Sequence, residues 1–289
     1  MRDYAITTDS SCDFDQALAD SLGVTVVPLS VQIGPRRFRN APGEAMDSHS
    51  FYQLLSQGEL AQTSAPNVEE FKAVWRPILQ SGRDLLYLGF SSGLSGTYHN
   101  AAIAAEDLRE EFPEARIITV DTLCASLGQG MLVDLTVQEK RQGKTLDEVA
   151  AFAEKNRLYL CHWFTVGDLS QLRRGGRLSA GKAIVGNLLN IKPVLHVDDE
   201  GHLVPMASAK GRKKSIEALV SHMEESAVAP EQQRVYISHG DCLADAQLLA
   251  QMVRDRLHVS SVTIGDVGPV IGAHSGAGTL ALFFVGTHR

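Results

Sequence analysis

Short apolar runs alternate, through the first half of the chain, with longer segments in which apolar residues recur at helical spacing. The short runs predict buried strands and the longer segments predict helices. We expect strands at Tyr4–Thr7, Val24–Val31, Asp84–Phe90 and Arg116–Val120. We expect helices at Phe14–Leu22, Ser48–Leu55, Val68–Leu79, Tyr98–Glu110 and Leu123–Arg141. This alternation predicts a mainly parallel, Rossmann-like sheet with helices on both faces.

The second half mixes hairpins with helices. Its helices are expected at Leu146–Asn156, Ala180–Leu189, Lys214–Glu225 and Ala244–Leu257. Its strands are expected at Leu158–Val166, Ile191–Val197, His202–Ala207, Arg234–Ser238, Val262–Val267 and Leu280–Val285. Asp198–Gly201 separates two of these strands and predicts a hairpin with glycine in its turn. The pattern is typical of an α+β domain.

These patterns predict an α/β protein of two lobes. The N-terminal α/β domain is expected at residues 1–157 and the C-terminal α+β domain at residues 158–289. The boundary is soft, because no low-complexity linker or internal repeat separates the halves. A chain without a flexible joint favours a ligand cleft between two rigid lobes.

A segment rich in serine and glycine, residues 91–98, follows the predicted strand Asp84–Phe90 and precedes a predicted helix. Unpaired N–H groups at a helix N-terminus favour an anion, and the glycines let the backbone approach it closely. Neither G-x-x-x-x-G-K-[ST] nor G-x-G-x-x-G is present, so nucleotide-phosphate loops are excluded. The segment predicts a small-anion site. The structural alternative is a turn that merely caps the helix.

Three further polar loops are expected at the same edge of the sheet, at Thr7–Ser11, Thr63–Asn67 and Asp121–Thr122. Ligands of parallel α/β sheets bind beyond the carboxyl ends of the strands. Each loop alone is more typical of a helix cap, and Asn67 with Glu70 predicts a capping box. Their repetition after strands favours a shared polar pocket.

Composition limits the classes of function. The chain has 289 residues, 44% of them hydrophobic and 21% charged, which is ordinary for a globular protein. A net charge of −7 argues against a general nucleic-acid binder. Four scattered cysteines without C-x-x-C spacing and the lack of a signal-peptide pattern predict reduced thiols in a cytoplasmic protein. The histidines lack H-E-x-x-H spacing, and no metal site is expected.

Eight segments, in order over nearly the whole chain, together resemble the DegV family of bacterial fatty-acid-binding proteins. They are Thr8–Ser11, Thr63–Pro66, Ser91–Tyr98, Asp121 with Gly128–Gly130, Leu172–Arg177, Ile191–Pro193, Lys210–Lys214 and Ile271–Gly276. One such motif would be weak, whereas eight in register are specific. The chain departs from the family pattern at Ala65 and Ala277.

The resemblance implies two α/β lobes with a lipid tunnel between or within them. It implies a carrier that sequesters one long-chain fatty acid and presents its carboxylate to a separate fatty acid kinase-type protein, which supplies acyl phosphate for phospholipid synthesis. The carrier itself would be neither an enzyme nor a user of cofactors. Peripheral or transient membrane contact is compatible with this function.

The resemblance also implies residue roles. Thr63 and Ser95 would bind the fatty-acid carboxylate, with His274 beside them. Nearby loop donors would be Ser64, Ser92, Gly96 and Thr97. A basic patch for phosphate or for the partner would comprise Arg173, Arg174, Arg177, Lys210 and Arg212.

Two alternatives remain open at the level of sequence. Ser95, Asp121 and His274 are the residue types of a hydrolase triad, although Gly93–Thr97 is not a G-x-S-x-G elbow. A lipid sensor without a kinase partner would share the same pocket. For His274 alone, the structural alternative is a histidine within a glycine-rich loop.

Overall fold

The computed structural model describes residues 2–44, 46–167, 169–178 and 190–289, so the expected helix Ala180–Leu189 lies outside the described residues. The strands are β1 (Tyr4–Asp9), β2 (Thr25–Val27), β3 (Ser30–Ile33), β4 (Arg36–Arg39), β5 (Ala61–Ser64), β6 (Asp84–Gly89), β7 (Ile117–Asp121), β8 (Leu160–Thr165), β9 (Ile191–Val197), β10 (Leu203–Lys210), β11 (Arg234–His239), β12 (Ser261–Asp266) and β13 (Leu280–Val285). The helices are α1 (Gln16–Leu22), α2 (Ser48–Ser56), α3 (Val68–Gln80), α4 (Thr97–Glu111), α5 (Ser126–Arg141), α6 (Leu146–Asn156), α7 (Ser170–Arg174), α8 (Arg212–Ser226), α9 (Leu243–Leu257) and α10 (Pro269–Ser275).

A parallel sheet of order β2-β1-β6-β7 confirms the α/β prediction for the first half. Its strands β1 and β6 are buried along their whole length, as expected where helices cover both faces. The predicted capping box at the start of α3 is also confirmed, with Asn67 and Glu70 each accepting the other's backbone N–H. The loops after β1, β6 and β7 therefore lie at one edge.

The second sheet has the order β10-β9-β8-β13-β11-β12. It is mixed, because β11 and β12 are parallel while the other neighbours are antiparallel. The predicted hairpin between β9 and β10 is confirmed. Its turn has Gly201 at φ +80°, a left-handed conformation that glycine adopts without strain.

A third, small antiparallel sheet of order β4-β3-β5 corrects the prediction of one strand at Val24–Val31. That segment divides at Pro28 into β2, in the parallel sheet, and β3, in the small sheet, since proline has no N–H to donate to a ladder. Strands β4 and β5 were not predicted, because their short polar sequences lack an apolar alternation. Thr63 and Ser64 consequently lie on β5 and not in a loop.

Two helix boundaries also differ from expectation. His274 was expected in a glycine-rich loop with Gly272 and Gly278, whereas residues 269–275 form α10, with proline in its first turn and Gly276 at φ +80° after its end. His274 therefore lies on a helix. Helix α5 begins at Ser126 and not at Leu123, because Leu123 has a left-handed backbone, with φ +53°, that a right-handed helix does not contain.

Helix α5 lies between the parallel and mixed sheets and is buried over most of its length. One apolar core joins Leu88 of β6 and Leu132 of α5 to Phe164 of β8 and Phe283 of β13. The division at residue 157 remains a prediction. The four cysteines are free thiols. Among the residues that the structure describes, no helix is long and apolar enough to cross a membrane.

Candidate functional site

A partly enclosed cavity of about 220 Å³ lies among the three sheets. Its wall is mostly apolar and comes from both halves of the chain. Apolar lining side chains include Leu29, Phe90, Leu94, Phe164, Val197 and Phe283. A cavity of this composition suits an apolar ligand, whose burial is driven by the removal of its surface from water.

One end of the cavity is polar, where Thr63 of β5 meets His274 of α10. The Thr63 hydroxyl lies 2.8 Å from His274 Nε2 and both residues line the cavity. Ser95 lines the same space, and its hydroxyl lies 2.8 Å from Thr97 Oγ1 and accepts the Thr97 N–H at the start of α4. The structure thus brings together the three residues that the resemblance assigned to a carboxylate.

Arg177 belongs to this polar end. It lines the cavity, donates from Nε to the Leu94 carbonyl at 3.3 Å, and also donates to the Gly175 carbonyl. Burial, and secondarily the positive charge of Arg177, lower the pKa of His274 to about 4. His274 is therefore neutral at pH 7, and among the described residues that line the cavity Arg177 supplies the positive charge.

The other predicted loop donors lie in different environments. Gly96 lines the cavity, while Thr97 is buried beside Ser95. Ser92 is exposed, and its N–H donates to Asp121. Ser64 is exposed and, as the neighbour of Thr63 on a strand, projects from the opposite face.

The predicted basic patch is not one surface. Arg173 and Arg174 are exposed on α7, close to Arg177. Leu203, at the start of β10, forms a β-bridge with Leu178, the neighbour of Arg177. Lys210 lies at the other end of β10, about 23 Å along the strand from Leu203. Arg212 donates to Asp245 at 2.8 Å and is held in that ion pair.

The three residues of the alternative hydrolase triad do not form one. Asp121 accepts the N–H groups of Ser92 and Leu123, His274 pairs with Thr63, and Ser95 pairs with Thr97. A nucleophile needs a hydrogen-bonded base that is itself oriented by a third group. This arrangement does not favour nucleophilic catalysis at Ser95.

The loop that carries Ser95 is held from two sides. Asp9, at the end of β1, accepts the Phe90 N–H at 2.9 Å and the Tyr87 hydroxyl at 2.6 Å. On the opposite side, Ser91 donates to the carbonyl of Gly201 in the β9–β10 turn at 2.8 Å. The loop therefore depends on strands from both halves of the chain.

Sequence reasoning assigned no role to five polar lining residues: Ser126, His162, Ser238, Ser275 and Thr279. The Ser275 hydroxyl is buried without a hydrogen-bond partner among the described residues, so it is available to a ligand. Three of the five, Ser126, His162 and Ser238, lie on α5, β8 and β11, where no motif marks them. Among the described residues, no group of three or more histidine, cysteine, aspartate or glutamate side chains could hold a metal ion.

We expect the protein without ligand to lose stability at acidic pH through His274. Its pKa of about 4 in the folded state lies below the ordinary value of 6.5, so the unfolded chain takes up the proton first. The contribution of neutral His274 to the free energy of unfolding is fully present above pH 6.5 and is lost as the pH falls towards 4. Urea unfolding at pH 7.5 and 4.5 measures the loss.

The matched control is His274→Gln, which cannot titrate. The wild type should lose on the order of 2 kcal/mol more than the variant between the two pH values. Other groups, including His162, whose pKa burial also lowers, titrate in both proteins and cancel. Equal losses in the two proteins would contradict the assignment.

The three sheets and the cavity define an α/β protein with an internal apolar site that has one polar end. Over residues 3–287 the chain matches the family model described as "Uncharacterised protein, DegV family". The chain belongs to the DegV family.

Known relatives cover the whole length of the chain. A DegV domain-containing protein of Clostridium perfringens is 41% identical over 286 residues, which are 99% of this chain and 98% of that protein. The solved structure described as "Fatty Acid Binding of a DegV family Protein from Thermus thermophilus" has 33% identity and a TM-score of 0.88, and the match covers 99% of this chain and 100% of that one. DegV of Bacillus subtilis, described as a fatty acid binding protein, has 27% identity and a TM-score of 0.86, with the same coverage.

Proposed function

We propose that this protein binds one long-chain fatty acid, with the acyl chain in the cavity and the carboxylate at Thr63, Ser95 and His274. The observation that carries the proposal is an apolar cavity that ends at the Thr63–His274 pair. The fatty-acid binding of the Thermus thermophilus and Bacillus subtilis relatives supports it. The proposal assigns the protein no catalytic step and no cofactor.

The energetics of chain burial support a carrier. A sixteen-carbon chain has about 14 methylenes, and burial at about 0.8 kcal/mol each gives on the order of 11 kcal/mol. Association costs at least about 4 kcal/mol, so binding at micromolar concentration needs little from the head group. The apolar wall should set affinity, and the polar end should set the direction in which the ligand lies.

The polar end can satisfy a carboxylate without neutralising both of its oxygens. The hydroxyls of Thr63 and Ser95 can each donate one hydrogen bond, and Arg177 adds a positive charge. An unpaired buried carboxylate would cost several kcal/mol, so these donors matter. One oxygen can remain open to a reaction partner.

Native mass spectrometry of the freshly purified protein tests the proposal. We expect an added mass equal to one fatty acid, released only on unfolding, whose value identifies the chain. A clean ligand-free mass, together with failure to take up added palmitate or oleate, would refute it. Hydrolysis of a chromogenic ester would then test the hydrolase alternative.

We further infer that the bound carboxylate is presented to a fatty acid kinase-type partner. The exposed guanidinium groups of Arg173 and Arg174 lie on α7, which packs against α10 beside the polar end. Such groups suit an acidic partner surface or an acyl phosphate. We expect acyl-phosphate formation to require these arginines as well as Thr63 and Ser95.

The Arg173→Glu variant separates docking from ligand binding. It should bind oleate with unchanged affinity, yet support acyl-phosphate formation at least tenfold more slowly with a DegV-partner kinase. Thr63→Ala combined with Ser95→Ala should instead impair both. If Arg173→Glu lowered oleate affinity and acyl-phosphate formation to the same extent, the docking role of Arg173 would be wrong. Oleate binding with no phosphorylation by any such kinase would favour the lipid-sensor alternative.

We expect Gly175→Ala to weaken fatty-acid binding through His274. A Cβ at Gly175 would lie 2.5 Å from His274 Nδ1, so the imidazole must shift and its hydrogen bond with Thr63 is disturbed. The backbone is not strained, because φ at Gly175 is −72°. We expect a three- to tenfold higher Kd for oleate by isothermal titration, as for one lost hydrogen bond, roughly 0.5–1.5 kcal/mol.

The control is the same substitution in a protein that lacks the imidazole. In a His274→Ala background, Gly175→Ala should change the Kd by less than twofold, because the clashing ring is gone. Additive effects of the two substitutions would show that Gly175 acts by another route.

A further inference from the structure

A row of polar side chains interrupts the apolar wall beside the N-terminal end of α10. Ser126 of α5 donates to a carboxylate oxygen of Asp13, and the Ser126 and Ser238 hydroxyls lie 3.1 Å apart. The other Asp13 oxygen accepts the Gly268 N–H at 3.1 Å. Ser126 and Ser238 are both buried and both line the cavity.

This row is separated from the carboxylate end by the length of α10. Gly268 precedes the helix and His274 lies six residues later, about 9 Å along the axis. A chain whose carboxylate rests at His274 therefore passes Ser238 near its middle. Asp13, to which Ser126 donates, therefore lies at the opposite end of α10 from His274.

A structural role accounts for part of the row only. The Ser126–Asp13 bond holds a residue with a left-handed backbone, φ +54°, at the start of α5. Ser238 lies outside that turn, on β11 opposite Ala281 of β13, and reaches it only through the Ser126 hydroxyl. The Ser238 hydroxyl already has Ser126 as a partner, but a hydroxyl can both donate and accept, so it keeps a second hydrogen-bonding position for a group in the cavity.

The Ser238 hydroxyl, at the cavity end of the row, can either accept or donate a hydrogen bond. With Asp13 ionised, Ser126 donates to Asp13 and Ser238 donates to Ser126, which leaves the Ser238 oxygen as an acceptor. With Asp13 protonated, the same bonds reverse and Ser238 can donate. Removal from solvent raises the pKa of Asp13 to about 8, so both forms are within reach near neutral pH. A hydroxyl group, itself donor and acceptor, matches either arrangement.

We propose that Ser238, backed by Ser126, forms a mid-chain subsite for long-chain fatty acids that carry a hydroxyl group near the middle of the chain. The inference rests on the proposed function, since it takes the fatty-acid carboxylate to lie at His274. The ligand hydroxyl hydrogen-bonds to the Ser238 hydroxyl, and the apolar segments on either side pack against the wall.

The test compares the Kd values of stearate, 10-hydroxystearate and 17-hydroxystearate for three proteins. They are the wild type, Ser238→Ala and the control Ser215→Ala, which removes a buried hydroxyl from α8 outside the cavity. In the wild type, 10-hydroxystearate should bind at least as tightly as stearate. Ser238→Ala should weaken 10-hydroxystearate relative to stearate by about tenfold, and Ser215→Ala should leave the ratio unchanged.

The outcomes separate the two proposals. If wild-type protein binds no stearate, the proposed function and this subsite both fail. If stearate binds and Ser238→Ala leaves the ratio unchanged, the subsite alone is refuted. Should Ser238→Ala not fold, the wild type still decides, because tighter binding of 17-hydroxystearate than of 10-hydroxystearate would overturn the mid-chain position.

Discussion

Ala281→Phe should abolish tight binding of long-chain fatty acids while the protein remains folded. Ala281 is buried on β13 and lines the cavity between Phe164 and Ser238. A phenyl ring there occupies space that the acyl chain needs. Exclusion of four methylenes would cost about 3 kcal/mol, which is more than a hundredfold in Kd. Titration with oleate and a thermal melt measure the two effects.

The control for this variant is Ala281→Cys, which adds one heavy atom at the same position. It should bind oleate within about threefold of the wild type. Unchanged oleate affinity in a folded Ala281→Phe protein would show that the chain does not lie in this cavity, and would count against the proposed function.

Asp9→Asn should destabilise the protein by about 2–4 kcal/mol. The carboxylate accepts hydrogen bonds only: Oδ1 from the Ser11 N–H, and Oδ2 from Tyr87, Phe90 and Gln129. An asparagine side chain must turn its NH₂ group towards one set of donors, which leaves buried N–H groups without an acceptor. Urea unfolding at pH 7 measures the change in the free energy of unfolding.

The same chemical change at Asp15 supplies the control. Asp15 is exposed and caps α1 by accepting the Leu18 N–H, and asparagine is as good an N-cap as aspartate. Asp15→Asn should therefore change stability by less than about 0.5 kcal/mol. Because Asp9 also holds the loop that carries Ser95, Asp9→Asn should weaken oleate binding too. A loss of stability no larger than that of Asp15→Asn would contradict the role given to Asp9.

The parts of the fold with strong periodicity could be predicted from the sequence. Helix Leu146–Asn156 and strand Ile191–Val197 were predicted to the residue, and the alternation of the first half indicated the parallel sheet. Strands β4 and β5 could not be predicted, because their pairing with β3 depends on tertiary contact and not on local alternation. Thr63 was therefore expected in a loop, although it lies on β5.

The candidate site could be predicted only where motifs mark it. Thr63, Ser95 and His274 were assigned by resemblance, and the structure brings them to one cavity. Ser238 and Ser126 carry no motif, since each is one serine within an apolar element. The ion pair of Arg212 with Asp245, a residue distant in sequence, is also a contact that no local pattern indicates.

The position of β13 in the mixed sheet determines when, during synthesis, the cavity wall can be completed. This strand lies between β8 and β11, both of which precede it in the chain by at least 40 residues. A nascent chain that has reached residue 279 can pair β8 with β9 and β11 with β12, but the two groups have no strand to join them. Ala281 and Phe283 line the cavity and lie on β13, so this part of the wall forms only when β13 pairs with β8 and β11. A chain that stops before residue 280 therefore lacks part of the cavity wall, and under the proposed function we expect it to bind no oleate.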